Sequence, residues 1–294
     1  MCIERNVFAG TNSAIAVIFV WSTWLVVSRT GVQSELTVFD LAAMRYGVSA
    51  IIAFPFVIYY KPWKNLAYSK IIVVTFLLGP IYAFCVFAGF NYAPVAHGGI
   101  FLNGSLPAIT LVMGLLIFDQ KLYVIQAFGI VLIFLSCCFA LIDLSDVVDN
   151  NTWRGDILFF LSAIFFSGYL LVARQWNLSL IEILFCSSII NGIVYLPIWL
   201  FFLPKGVADV ATNQLALQLC FQGVIPNVFG LLLVAYASKN IGPASTAAFL
   251  AAVPSLSSIL GVIFLGEILG FLGWLSVFLV TPGIIMVGYR KKNA

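Results

Sequence analysis

The chain holds one histidine, His97, and the hydroxyl best placed in sequence to act with it as a nucleophile is Ser105, eight residues on. On a single helix those two side chains point about 80° apart, and no nucleophile-elbow motif or second histidine accompanies them. The six cysteines (Cys2, Cys85, Cys137, Cys138, Cys186, Cys220) are scattered, five within apolar runs, with no C-x-x-C pair. They read as small buried hydrophobes. The sequence therefore predicts no catalytic residue, no metal site and no cofactor, and an intramembrane enzyme is the weakest of the competing readings.

The chemistry that remains is that of binding. In Val20-Trp-Ser-Thr-Trp-Leu-Val-Val-Ser-Arg29 two indole donors bracket two hydroxyls inside an oily run, and Trp21, Trp24 and Ser28 share one stripe of a helix. The stretch has an echo without a gap in Phe166-Ser-Gly-Tyr169 through Arg174, 145 residues later, so that Phe166 and Tyr169 stand where Trp21 and Trp24 do. Arg45 is the one basic residue deep in an apolar run. It is expected to face the interior of a bundle and to bind a substrate carboxylate, to pair with a structural ion or carbonyl, or to snorkel outward. Asp40, five residues away and about 140° round the helix, is a poor partner for it. His97 reads either as a titrating donor to a solute or as a hydrogen-bonded residue near a membrane surface.

The elements that must position these groups follow from composition. Of 294 residues 63% are hydrophobic and 9% charged, with a formal net charge of +3 and a mean hydropathy of +1.11. A soluble domain carries about a quarter charged residues, so this is a membrane chain whose partners include the lipid bilayer and no nucleic acid. The run from Ser13 to Val27 passes into others like it, which is unlike a cleaved signal peptide. A bilayer core needs about 20 apolar residues in helix. Ten such stretches are expected, at 12–30, 37–60, 70–91, 94–117, 122–142, 155–175, 179–203, 214–237, 243–265 and 269–289. With the N-terminus inside, Arg5, Lys61, Lys64, Lys70, Lys121, Arg174, Lys239, Arg290, Lys291 and Lys292 collect on one side, and Arg29, Arg154 and Lys205 on the other. The positive-inside rule then puts both termini in the cytoplasm.

The echo extends along the chain. Asp40, Pro55 and Pro62 match Glu182, Pro197 and Pro204 at an offset of 142, Pro80 matches Pro226 at 146, and Pro107 matches Pro254 at 147. An ordered series at a near-constant offset is the mark of duplication, dividing the chain into five-helix repeats at 1–147 and 148–294. Five is odd, so the second repeat enters from the opposite side and the two are related by inverted topology, an arrangement that belongs to transporters. Pro107 and Pro254 free the carbonyls of Asn103 and Leu250, and matched interruptions of this kind mark a binding site near the midplane. Pro55, Pro197 and Arg45 join them as candidate helix-break or gating positions.

The Trp-Ser of the first span, Leu-Ala-Ala-Met-Arg45-Tyr, the Pro107 helix running into an acidic hairpin, and Phe-Leu-Ala-Ala-Val-Pro254-Ser followed by Phe-Leu-Gly-Glu267 resemble the drug/metabolite transporter superfamily in its EamA-type ten-helix branch. The resemblance covers nearly the whole chain. It implies a central cavity lined by spans one, three, four, six, eight and nine, with spans two and seven as movable walls and five and ten peripheral. Asp119-Gln120 departs from the glycine-glutamate usual at the first hairpin, whereas Gly266-Glu267 keeps it. On those spans Trp21, Trp24, Ser28, Tyr82, His97, Asn103, Phe166, Tyr169, Gln222, Asn227 and Ser255 are the candidate substrate-binding residues. An aromatic pocket with so few cations suits small, weakly charged amphipathic solutes such as amino acids or aromatic metabolites, and its ring faces suit an organic cation. The expectation is a bacterial inner-membrane secondary carrier, monomeric or homodimeric, working by alternating access as an exporter, with uptake or exchange as the alternative.

Overall fold

A computed structural model describes residues 6–118, 122–143 and 151–289. Among these residues the chain is helical and has no strand. The spans are α1 (Val7–Val32), α2 (Val38–Tyr60), α3 (Tyr68–Tyr92), α4 (Val95–Phe118), α5 (Val124–Ile142), α6 (Thr152–Gln175), α7 (Leu180–Phe202), α8 (Thr212–Ile241), α9 (Ser245–Leu265) and α10 (Phe271–Val287). The first nine are long and apolar enough to cross a bilayer. The tenth, at 17 residues, is about 26 Å long and falls short of a 30 Å core. Local chemistry sets several ends: the Asn6 side chain accepts from Ala9 N–H at the start of α1, and Gly266, with φ 66°, stops α9 in a left-handed turn. Asp119, Gln120, Lys121, Asp146, Asp149 and the terminal Arg5, Arg290, Lys291 and Lys292 lie outside the described residues.

Cross-helix contacts sort the helix ends into two layers. At the near end the Asn6 amide donates to Asn240 Oδ1 at 3.0 Å, Gln126 Nε2 reaches the Tyr289 carbonyl at 3.0 Å, and Lys70 lies over the Trp176 ring. At the far end Thr37 Oγ1 lies 3.2 Å from the Pro204 carbonyl and the Gly270 amide donates to Asp143 at 2.9 Å. Residues 6 and 289 therefore share the near end. Small residues let the backbones approach: a Cβ on Gly129 would stand 2.7 Å from the Gly283 carbonyl, so α5 and α10 pack tightly against each other. Large apolar side chains such as Phe54, Leu116, Phe201, Phe264 and Phe278 are exposed on the outside, as a surface facing lipid requires.

The matched prolines separate into two groups. α3 breaks at Gly79 before Pro80, and α8 breaks at Val224 before Pro226 and widens into π-helical turns over Ile225–Gly230. α4 widens over Gly98–Gly104 just before Pro107, and α9 stops at Leu250 and restarts at Val253 with Pro254 in its first turn. Pro55 and Pro197, expected as helix breaks, instead sit within continuous helices. One missing amide flanked by intact turns bends a helix without ending it. A further π-helical stretch, Phe185–Ile190 in α7, has no proline within it. There the Asn191 side-chain amide donates to the Thr75 carbonyl at 3.1 Å, a group left over where α3 breaks.

Candidate functional site

The breaks in α3, α4, α8 and α9 border a cavity of 470 Å³ between the two halves of the chain. The first half lines it with Trp21 and Trp24 of α1, Arg45, Tyr46 and Ser49 of α2, Tyr82 of α3, and Asn103 and Pro107 of α4. The second half lines it with Phe166 and Tyr169 of α6, Ser187 and Ser188 of α7 and Asn227 of α8. The wall runs on to Ile183, Leu184 and Gly288, which lie toward the near end.

Each aromatic is held by a specific neighbour. Trp24 Nε1–H donates to Gln222 Oε1 at 2.9 Å, and Gln222 Nε2 donates in turn to Gln218 Oε1 at 2.9 Å and to Ser28 Oγ at 3.2 Å. Gln218 Nε2 reaches the Val27 carbonyl at 2.7 Å, so the indole edge is anchored to α8 while its face is turned to Arg45. The Arg45 guanidinium lies 5.7 Å from the Trp24 ring centroid and 5.5 Å from that of Tyr82. Tyr82 packs on Phe166 at 5.7 Å and Phe166 on Tyr169 at 5.3 Å. Tyr46 O–H donates to the Leu78 carbonyl at 3.0 Å, satisfying an acceptor at the break before Pro80.

At the far end a polar layer ties the halves together. Asp40, fully buried, accepts from Thr37 N–H and O–H at 2.9 Å each, from Trp199 Nε1–H at 2.8 Å and from Gly206 N–H at 2.8 Å. Glu267 accepts the Val95 amide at 2.9 Å, capping α4, and lies 3.6 Å from Arg29 Nε. Arg29 also donates to the Phe90 carbonyl. His97 Nδ1 stands 2.8 Å from Asp156 Oδ1, both buried, linking α4 to α6. Charged groups taken out of water are tolerated when each finds such partners.

The sequence matches the model of the EamA-like transporter family twice, over residues 9–142 and 153–289. The chain belongs to that family. As an EamA-like transporter it is a membrane protein of the drug/metabolite transporter type with a two-repeat architecture and many apolar helices, and the family consists of transporters, not enzymes. One solved crystal structure is similar over 97% of this chain and 98% of its own, with a TM-score of 0.62 at 15% identity, a likeness of fold. No curated protein matches the sequence.

Nine of the positions singled out from the transporter's sequence line the cavity: Trp21, Trp24, Arg45, Tyr82, Asn103, Pro107, Phe166, Tyr169 and Asn227. The others lie elsewhere. Ser28 and Gln222 are buried behind Trp24, and His97 is committed to Asp156 at the far end. Ser255 is within 2.9 Å of Thr281 Oγ1 across to α10, and Pro254 packs behind the wall against Gly99. Asp40 and Glu267 each cap a helix and also bind other helices. Asp156, Gln218, Asn191 and the α7 serines escaped the sequence reading. Ser187 and Asn191 are the 142-residue counterparts of Arg45 and Ser49, so the repeat carried a signal for them.

Proposed function

We propose that this EamA-like transporter is a secondary carrier that moves small amphipathic solutes across a bacterial cytoplasmic membrane by alternating access, in the exporting direction. The supporting observation is the aromatic cavity of 470 Å³ between the halves, reaching toward the near end, while at the far end Asp40 and the Arg29–Glu267 pair bind the halves to each other. The volume is in the range of about 300–1,000 Å³ usual for small-molecule sites. In this reading the near end is cytoplasmic, as the positive-inside rule expects, and the cavity loads from the cytoplasm. Residues 1–147 and 148–294 are inverted repeats whose exchange of conformation moves the opening to the far end.

Counterflow in proteoliposomes tests the proposal. Solute-stimulated, saturable exchange of a member of an amino acid and aromatic metabolite panel is expected, and passive non-saturating flux, or no flux of any member, refutes it. An imposed pH gradient reads the coupling. Trp24→Ala is expected to weaken solute affinity about 10-fold, since a cavity aromatic contributes on the order of 1–3 kcal/mol. Thermal-shift titration of the variant against the parent protein measures this.

A further inference from the structure

The cavity carries one charge. Arg45 is the only Lys, Arg, Asp, Glu or His among its described lining residues. Among the described residues the guanidinium makes no hydrogen bond and no salt bridge, and its recorded neighbours are the faces of Trp24 and Tyr82. Three other charged groups among the described residues do have polar or charged partners: Asp40 takes four donors, Arg29 lies against Glu267, and His97 against Asp156. Architecture does not demand the cation either. Its repeat counterpart, 142 residues on, is Ser187, which lines the same cavity without charge.

A second donor is also unspent. Asn103 Nδ2 is buried without a hydrogen-bond partner, on a side chain that lines the cavity. A planar fork of N–H groups flanked by two ring faces, with an amide donor in the same chamber and no carboxylate in its wall, suits an anionic group of the solute. An organic cation finds no counter-charge and a like charge in its way.

We propose that the solute carries a carboxylate, which Arg45 holds between Trp24 and Tyr82 while an aromatic or branched apolar body lies against Trp21, Phe166 and Tyr169. This rests on the carrier reading and names its substrate class. One carboxylate suffices for one guanidinium, so the class is amino acids and simple organic acids, not polyanions. The shared chemistry is the carboxylate, and an α-ammonium group separates the two sources.

Matched probes on one body test it: 3-phenylpropanoate, its primary amide, phenethylamine and phenylalanine, with the same set on an indole and on a branched aliphatic body. Binding to the full-length protein in detergent is read by thermal shift and then by counterflow. At least one carboxylate is expected to bind about 10- to 100-fold more tightly than its amide and amine, the worth of a hydrogen-bonded charge pair. Arg45→Gln is expected to remove that preference, and Arg45→Lys to retain part of it. Phenylalanine against 3-phenylpropanoate tells amino acid from simple acid. Amines or amides binding as tightly as the acids, no acid binding at all, or a preference that survives Arg45→Gln overturns the assignment. The comparison on the unaltered protein stands where a variant fails to fold. Saturable transport of the amines or amides as efficient as that of the matched acids sinks this proposal and spares the carrier, whereas absence of any transport sinks the carrier reading itself.

Discussion

The same capping motif opens α2 and α7, and the two copies have different fates. Thr37-x-x-Asp40 and Ser179-x-x-Glu182 each close a reciprocal box, with the hydroxyl accepting the amide three residues on and the carboxylate taking the amide and hydroxyl of the cap. At the far end Asp40 goes further, taking Trp199 and Gly206 from the other half and losing all exposure. Glu182, near the opposite end, is partly exposed and, among the described residues, bonds within its own box alone. One helix-capping device thus serves as a latch at one end of the molecule and as a plain cap at the other. The alternating access proposed above would need such a difference, with only one end tied at a time.

Breaking the latch is expected to have the largest effect. Asp40→Ala strands the buried Gly206 amide and the half-buried Trp199 indole N–H and is predicted to cost about 3 kcal/mol, seen as a lowered unfolding temperature. It should also speed labelling of a Ser28→Cys probe by an impermeant maleimide from the far side, in a cysteine-free background. Unchanged labelling would disconnect Asp40 from closure. Gly206→Ala comes next. Its Cβ would lie 1.7 Å from the Glu35 carbonyl, so the loop must retreat and take its amide from Asp40, at about 1–3 kcal/mol and with the same rise in labelling. Glu182→Ala should do least, about 1 kcal/mol for a lost cap and no change in far-side labelling. Equal effects of the two carboxylate removals would erase the contrast between the ends.

Which parts of this were legible beforehand follows from the range of the forces. The helices were, because apolar length and turn punctuation are local. So were the paired aromatics of α1 and α6, since spacing fixes a helix face, and nine marked positions do line the cavity. The breaks at Pro107 and Pro254 were visible as prolines. Pro55 and Pro197 looked the same in sequence, yet their helices run on, because a proline removes one bond and neighbouring turns decide whether the rest hold. Ser28 and Gln222 carried the right chemistry but face a partner across a helix interface and not the cavity, a distinction of a few ångströms that no periodicity encodes.

By itself, then, the sequence determined that this is a helical membrane chain built from two related halves, with aromatic pairs and one arginine within its spans. Composition, period and repeat offset are properties of order along the chain, and they survive without coordinates. Only the tertiary structure decided which polar groups are consumed. Asp40, Glu267 and His97 meet hydrogen-bond partners 59 to 172 residues distant on other elements, and that spends their hydrogen bonds on holding the far end together. Arg45 meets two ring faces and no anion among the described residues, which leaves its charge on the cavity wall. Pairing across helices is set by packing of the whole bundle, and for that reason the chain order conceals it.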